Sequence, residues 1–146
     1  MSLAQDIFDI IVEISGSLPL SLSQIENTVR VALPPAANLS NEYVRVFRST
    51  SEGMKPISGV ELRLPGQASR AGDGMVILSI APDIRIEQGQ VTQRFGAGAL
   101  SVPTPREPVD APVYLVYRLP WGTLSFGFAR SIPSYLTRVV LDPSQK

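Results

Sequence analysis

The side chains that ordinarily carry chemistry are thinly represented in this chain. It has no histidine and no cysteine, which removes imidazole bases, thiol nucleophiles, disulfides and thiolate metal sites together. Activating a serine then falls to a lysine. The only two are Lys55, in a polar loop, and Lys146, the final residue; neither place favours the burial that depresses a lysine pKa. Carboxylate pairs remain as acid and base for glycoside-type cleavage. The acids, however, sit beside arginines, Glu61 with Arg63, Glu87 with Arg85 and Glu107 with Arg106, as solvated or paired surface charges do. Asp73 and Asp83 lack oxygen ligands at calcium-loop spacing. Gly72-x-Gly74 and Gly96-x-Gly98 complete neither a dinucleotide fingerprint nor a P-loop and read as turns. No catalytic residue, metal site or cofactor is expected. A hydrolase ranks last among the functions considered, and a protein that works by binding ranks first.

The vocabulary for binding is richer. Tyr114-x-x-Tyr117-Arg118-x-x-Trp121 interleaves aromatics with arginine. Such a set can stack single-stranded bases, but nucleic-acid binders usually carry a basic excess, and this chain has 13 basic and 13 acidic residues. The same residue types are enriched at protein interfaces. Eleven of the basic residues are arginine, whose planar fork suits carboxylates; a GC-rich coding sequence would produce the same bias. Trp121 lies between Pro120 and Gly122, a turn tip from which it either folds back over the core edge or faces a partner. Arg94, Arg106, Arg118 and Trp121 are the expected contacts to another protein, and a homodimer is compatible with them. The alternative is a carrier of a small apolar ligand, with Phe47, Met75, Phe126 and Phe128 lining a pocket between helices and sheet. Tyr114, Phe126 and Phe128 otherwise read as core.

These residues need a scaffold, and the strongest signal for one is residues 113–142. Val113 to Leu119, Thr123 to Phe128 and Leu136 to Leu141 are β-branched and aromatic runs punctuated by Pro and Gly, the pattern of three consecutive antiparallel strands. Upstream, Leu3, Ile7, Ile10, Ile11 and Ile14 mark one face of a helix over residues 2–15, with Ser2 and Gln5 at capping-box spacing and Gly16 as its stop. A second helix is expected over residues 22–32, ended by Pro34-Pro35. Strands are expected at residues 43–48, 59–64 and 75–80, the last apolar on both faces and so central and well covered. Residues 84–87 alternate like a strand, 91–95 fit helix or strand, and 96–112, with four prolines and two glycines, read as a structureless arm or linker.

A chain of 146 residues with 44% hydrophobic and 18% charged residues is expected to fold as one domain. Helices followed by strands imply an α+β fold: two N-terminal helices on one face of a mostly antiparallel sheet of about six strands. No apolar run approaches the length of a membrane span. Residues 1–14 lack a basic n-region and carry Asp6, Asp9 and Glu13, unlike a secretory signal, so a cytoplasmic location is expected, without membrane contact, unless Met1-Ser2-Leu3 is a vector-derived leader replacing a native segment.

The C-terminal half, through Ile84-Arg-Ile-Glu87, Val91 to Gly96, Tyr117, Gly122-Thr-Leu-Ser-Phe-Gly-Phe128 and Leu136-Thr-Arg-Val-Val-Leu-Asp142, resembles small bacterial toxin-immunity and related inhibitor proteins. The resemblance implies a non-enzymatic protein that binds and blocks one cognate toxin, often in the cytoplasm. It carries over no site residues, since such inhibitors share architecture more than motifs.

Overall fold

The computed structural model describes residues 3–49, 56–68, 74–101, 106, 111–131 and 133–143. They form three α-helices and one seven-stranded sheet, an α+β fold. The first helix, α1 (Leu3–Ser15), buries Ile7, Phe8, Ile11 and Ile14. Phe8 replaces Ile10 in the expected stripe because its ring meets Phe95 edge-on, centroids 5.4 Å apart; Ile10 is only partly buried. Gly16 closes the helix by donating to the Val12 carbonyl. The proposed cap at Ser2 lies outside the described residues.

Helix α2 (Leu22–Val29) starts where Ser21 Oγ accepts from the Gln24 amide. It ends earlier than the prolines suggested. Arg30 turns left-handed (φ 58°), and the Glu26 carboxylate accepts from the Leu33 amide at 2.7 Å, bending the chain back so that Leu33 enters the core. Pro34 and Pro35 serve a different purpose. The Pro34 carbonyl accepts from the Arg48 amide, and the Ala36 amide donates to the Val46 carbonyl, so this segment lies along the outer edge of the first strand and blocks it from pairing further.

The strands are β1 (Val44–Arg48), β2 (Ile57–Pro65), β3 (Met75–Ile80), β4 (Ala99–Ser101), β5 (Val113–Leu119), β6 (Gly122–Phe128) and β7 (Leu136–Asp142). They run β1-β2-β3-β7-β6-β5-β4, and every neighbouring pair is antiparallel. Two meanders thus meet at the β3–β7 seam. The seventh strand is β4, formed inside the segment read as structureless; it pairs with Tyr114 to Val116 of β5. Residues 84–87 alternate as expected, with Ile84 and Ile86 buried, yet form no strand. Their main tie to the sheet is the Leu136 amide donating to the Ile86 carbonyl. Glu87 then caps the third helix, α3 (Gln88–Phe95), in a reciprocal capping box with Gln90.

Because strand side chains alternate between faces, the register sorts the sheet cleanly. Val60, Leu62, Leu64, Val76, Leu78, Ile80, Leu115, Tyr117, Leu124, Phe126, Phe128, Val139 and Leu141 are buried on the helix side in one cluster with Ile7, Ile11, Ile14, Ile25 and Val91. Strand β3 is central but covered by helices on one face alone: Met75 and Ile77 emerge half-buried on the other. Among the described residues no helix is long and apolar enough to cross a membrane.

Candidate functional site

The face of the sheet turned away from α1–α3 gathers the most distinctive set of exposed side chains among the described residues. One row crosses all seven strands in register: Arg48, Glu61, Ile77, Val140, Ser125, Val116 and Ala99. Ile77, Val140 and Val116 are half-buried aliphatics along it, with Ser125 set between the last two; together they form its apolar band. Arginines border the band. On one side stand Arg63, opposite Met75, and Arg118, opposite Thr123. On the other stands Arg138, opposite Ser79 on β3 and Gly127 on β6, with Tyr114 opposite Gly127 in turn.

The local geometry follows from these positions. A Cβ on Gly127 would lie 2.9 Å from Arg138 Cγ and 3.0 Å from Tyr114 Cε1. The bare backbone therefore lets both side chains lean over β6, where Arg138 Nη1 donates to the Tyr114 hydroxyl at 3.5 Å. At the opposite end Glu61 is held between two guanidiniums, 3.2 Å from Arg48 Nε and 2.6 Å from Arg63 Nε. Its side chain is 15% exposed, against 55% and 48% for the arginines, so the acid is sheltered while both cations reach water. A shallow cleft of about 490 Å³ opens here, lined in part by Arg48, Ser58, Gly59, Glu61, Ser79 and Arg138.

The sequence-predicted contacts do not converge. Arg118 is exposed on the open face. Trp121, at the β5–β6 turn, is folded back and partly buried against the core edge. Arg94 belongs to the helix layer, 3.5 Å from Asp9 of α1 and over the Phe95 ring, where it ties α3 to α1. Arg106 is an exposed turn residue flanked on both sides by residues outside those described. Tyr114 projects to the open face rather than into the core, because its register partner is Gly127. The four residues suggested for an apolar pocket are likewise divided: Phe126 and Phe128 are completely buried on β6, Phe47 packs against the same core from β1, four strands away, and Met75 lies on the other face. They do not line a common cavity. Arg48, Arg63 and Arg138 escaped sequence reasoning. Each is an isolated outward residue in its own strand, and only pairing between distant segments puts them on one surface.

On the helix face, the Tyr117 hydroxyl donates to the Gly96 carbonyl at 2.7 Å, and its ring packs on Phe95 and Phe126. Burial raises its pKa above the ordinary phenol value. A pKa raised on folding stabilises the protein as long as the group stays protonated in both states; that contribution is intact below about pH 10 and is lost as pH climbs through the folded-state value. Tyr117→Phe should therefore cost about 1 kcal/mol at neutral pH, for the lost hydrogen bond, and should flatten the fall in stability above about pH 10. Urea unfolding across pH 7–11 would check both; an unchanged alkaline slope would contradict the assignment.

Among the described residues no group of three acids is placed to hold a metal ion. Comparison with protein-family models, curated proteins and solved structures finds no match to this chain.

Proposed function

We propose that this protein is a non-catalytic binding module that works by occupying the surface of another protein through the open face of its sheet, as an immunity-type inhibitor of a bacterial toxin would. The observation that carries the proposal is the set of half-buried aliphatics Ile77, Val140 and Val116, which no layer formed by the described residues covers and which arginines border. Antiparallel sheets commonly leave one face to water, but that face is then polar. Here it mixes half-buried aliphatics with Tyr114 and exposed arginines, a combination typical of protein interfaces. Glu61 is the one acid among the described residues lining the cleft and both arginines engage it, so no second carboxylate faces it there as acid–base cleavage of the glycosidase type requires.

A photo-crosslinking residue at Val116, compared with one at Val12, which is 47% exposed on the helix side, tests this in lysate of the source organism. A discrete one-to-one adduct from Val116, with none from Val12, is expected. If its partner is a toxin, producing it alone arrests growth of a bacterial host and co-production of this chain restores growth. Adducts from neither site, or equally from both, would refute the proposal.

A further inference from the structure

We infer, resting on the reading of the open face as a binding surface, that its occupant is an acidic amphipathic helix of the partner protein, laid along the apolar band with its carboxylates on the bordering arginines. Charge is the first argument. The chain is neutral overall, yet among the described residues this face presents Arg48, Arg63, Arg118 and Arg138 against Glu61 and Asp142, the latter on the Arg118 border opposite Thr123. Arg48 and Arg63 share one carboxylate, and among the described residues neither Arg118 nor Arg138 is ion-paired. Two guanidinium forks are therefore available to carboxylates from outside.

Dimensions are the second argument. Arg63 and Arg118 lie two residues to one side of the apolar row, and Arg138 lies two residues to the other. At about 3.3 Å per residue the borders stand roughly 13 Å apart, a channel matching the roughly 10–12 Å diameter of one α-helix. From Arg63 on β2 to Arg118 on β5 there are four strand spacings, roughly 19 Å, or about three and a half helical turns. The opposite face of this sheet is already covered by helices packed on aliphatic strand residues; a helix on the open face buries the second apolar set in the same manner.

Three designed helical peptides test the inference by amide chemical-shift titration of the intact protein. The first has leucines at i, i+3, i+4 and i+7 flanked by glutamates, the second has lysines in place of the glutamates, and the third has serines in place of the leucines. The first should shift the amides of Ile77, Val116 and Val140 saturably. The second should not bind, and the third should bind at least about tenfold more weakly. Arg118→Glu, which disturbs no internal ion pair, should weaken the first peptide by about tenfold or more and admit the second with an unchanged melting curve; the double variant Arg63→Glu/Arg118→Glu should do the same more strongly, with a lowered melting temperature because it also breaks the Arg63–Glu61 pair. Equal binding of all three, equal binding of the third and the first, or shifts confined to α1–α3 would overturn the inference. So would dilution-dependent shifts of the same amides without peptide, which would name a second copy of this chain as the occupant. The two proposals fail separately. An adduct from Val116 that survives the charge reversals sinks the acidic helix alone, whereas no adduct from Val116 sinks the binding function.

Discussion

Replacing Phe126 with alanine should destabilise the protein by about 3–5 kcal/mol, a large share of a small domain's total stability. Phe126 is completely buried on β6, between Leu115 of β5 and Val139 of β7 in register. Its ring packs 5.3 Å from Phe95 and 5.8 Å from Tyr117, and Phe95 in turn meets Phe8. The side chain thus joins the sheet to α3 and, through Phe95, to α1. The vacated space cannot readily collapse, because strands hydrogen-bonded on both sides fix the floor and the Phe95 and Tyr117 rings, themselves packed on each other, wall it in. That places the substitution at the costly end of the large-to-small range, where the cavity persists. Phe126→Leu keeps most of the volume and should cost under about 1.5–2 kcal/mol. Urea unfolding followed by circular dichroism measures both; a Phe126→Ala loss below about 1 kcal/mol would mean that this cluster is not the packed centre described.

The aromatic cluster shows where the fold was legible in sequence and where it was not. Phe126 reads as core because Leu124, Phe126 and Phe128 alternate with Thr123, Ser125 and Gly127 within one short run, and alternation of period two is a local signal. Helix α1 and strand β2 announce themselves in the same way. Strand β4 does not: Ala99, Leu100 and Ser101 carry no pattern, are all exposed, and are strand only because β5 lies alongside. Residues 84–87 show the converse, a valid alternation without a ladder to join. The open face was hidden most completely. Ile77 and Val140 are adjacent in space but separated by nearly half the chain, and no local periodicity encodes the β3–β7 seam. Arg118 was recognised through the aromatics around it, whereas Arg63 looked like half of a surface ion pair with Glu61. That pair is real; what the strand pattern could not reveal is that Arg48 claims the same carboxylate, leaving positive charge in excess.

Gly122→Ala should cost about 3 kcal/mol or more, although it adds a single methyl group. Two effects combine at this position. The backbone adopts φ +150°, a conformation that residues with a Cβ take only under strain of order 1–3 kcal/mol. In addition, a Cβ here would fall 2.5 Å from both the Asp142 carbonyl oxygen and Pro143 Cα, so the end of β7 must move away from the β5–β6 hairpin. Both contacts are backbone, and no side-chain rotation relieves them. Gly89, in the first turn of α3, is the matched control: a Cβ there meets nothing within 4 Å, and Gly89→Ala should be neutral or stabilise by up to about 1 kcal/mol, since alanine restricts the unfolded chain. Gly122 also sets the turn that seats Trp121 against the core edge and fixes Arg118 opposite Thr123. At temperatures where Gly122→Ala remains folded, amide shifts should concentrate at residues 118–123 and 141–143. Binding to the open face should weaken at its Arg118 end before it weakens at Arg138, because Arg138 is aligned by Gly127 and Tyr114 rather than by this turn. Equal stability losses for Gly122→Ala and Gly89→Ala in the same urea titration would rule out a special backbone requirement at the hairpin tip.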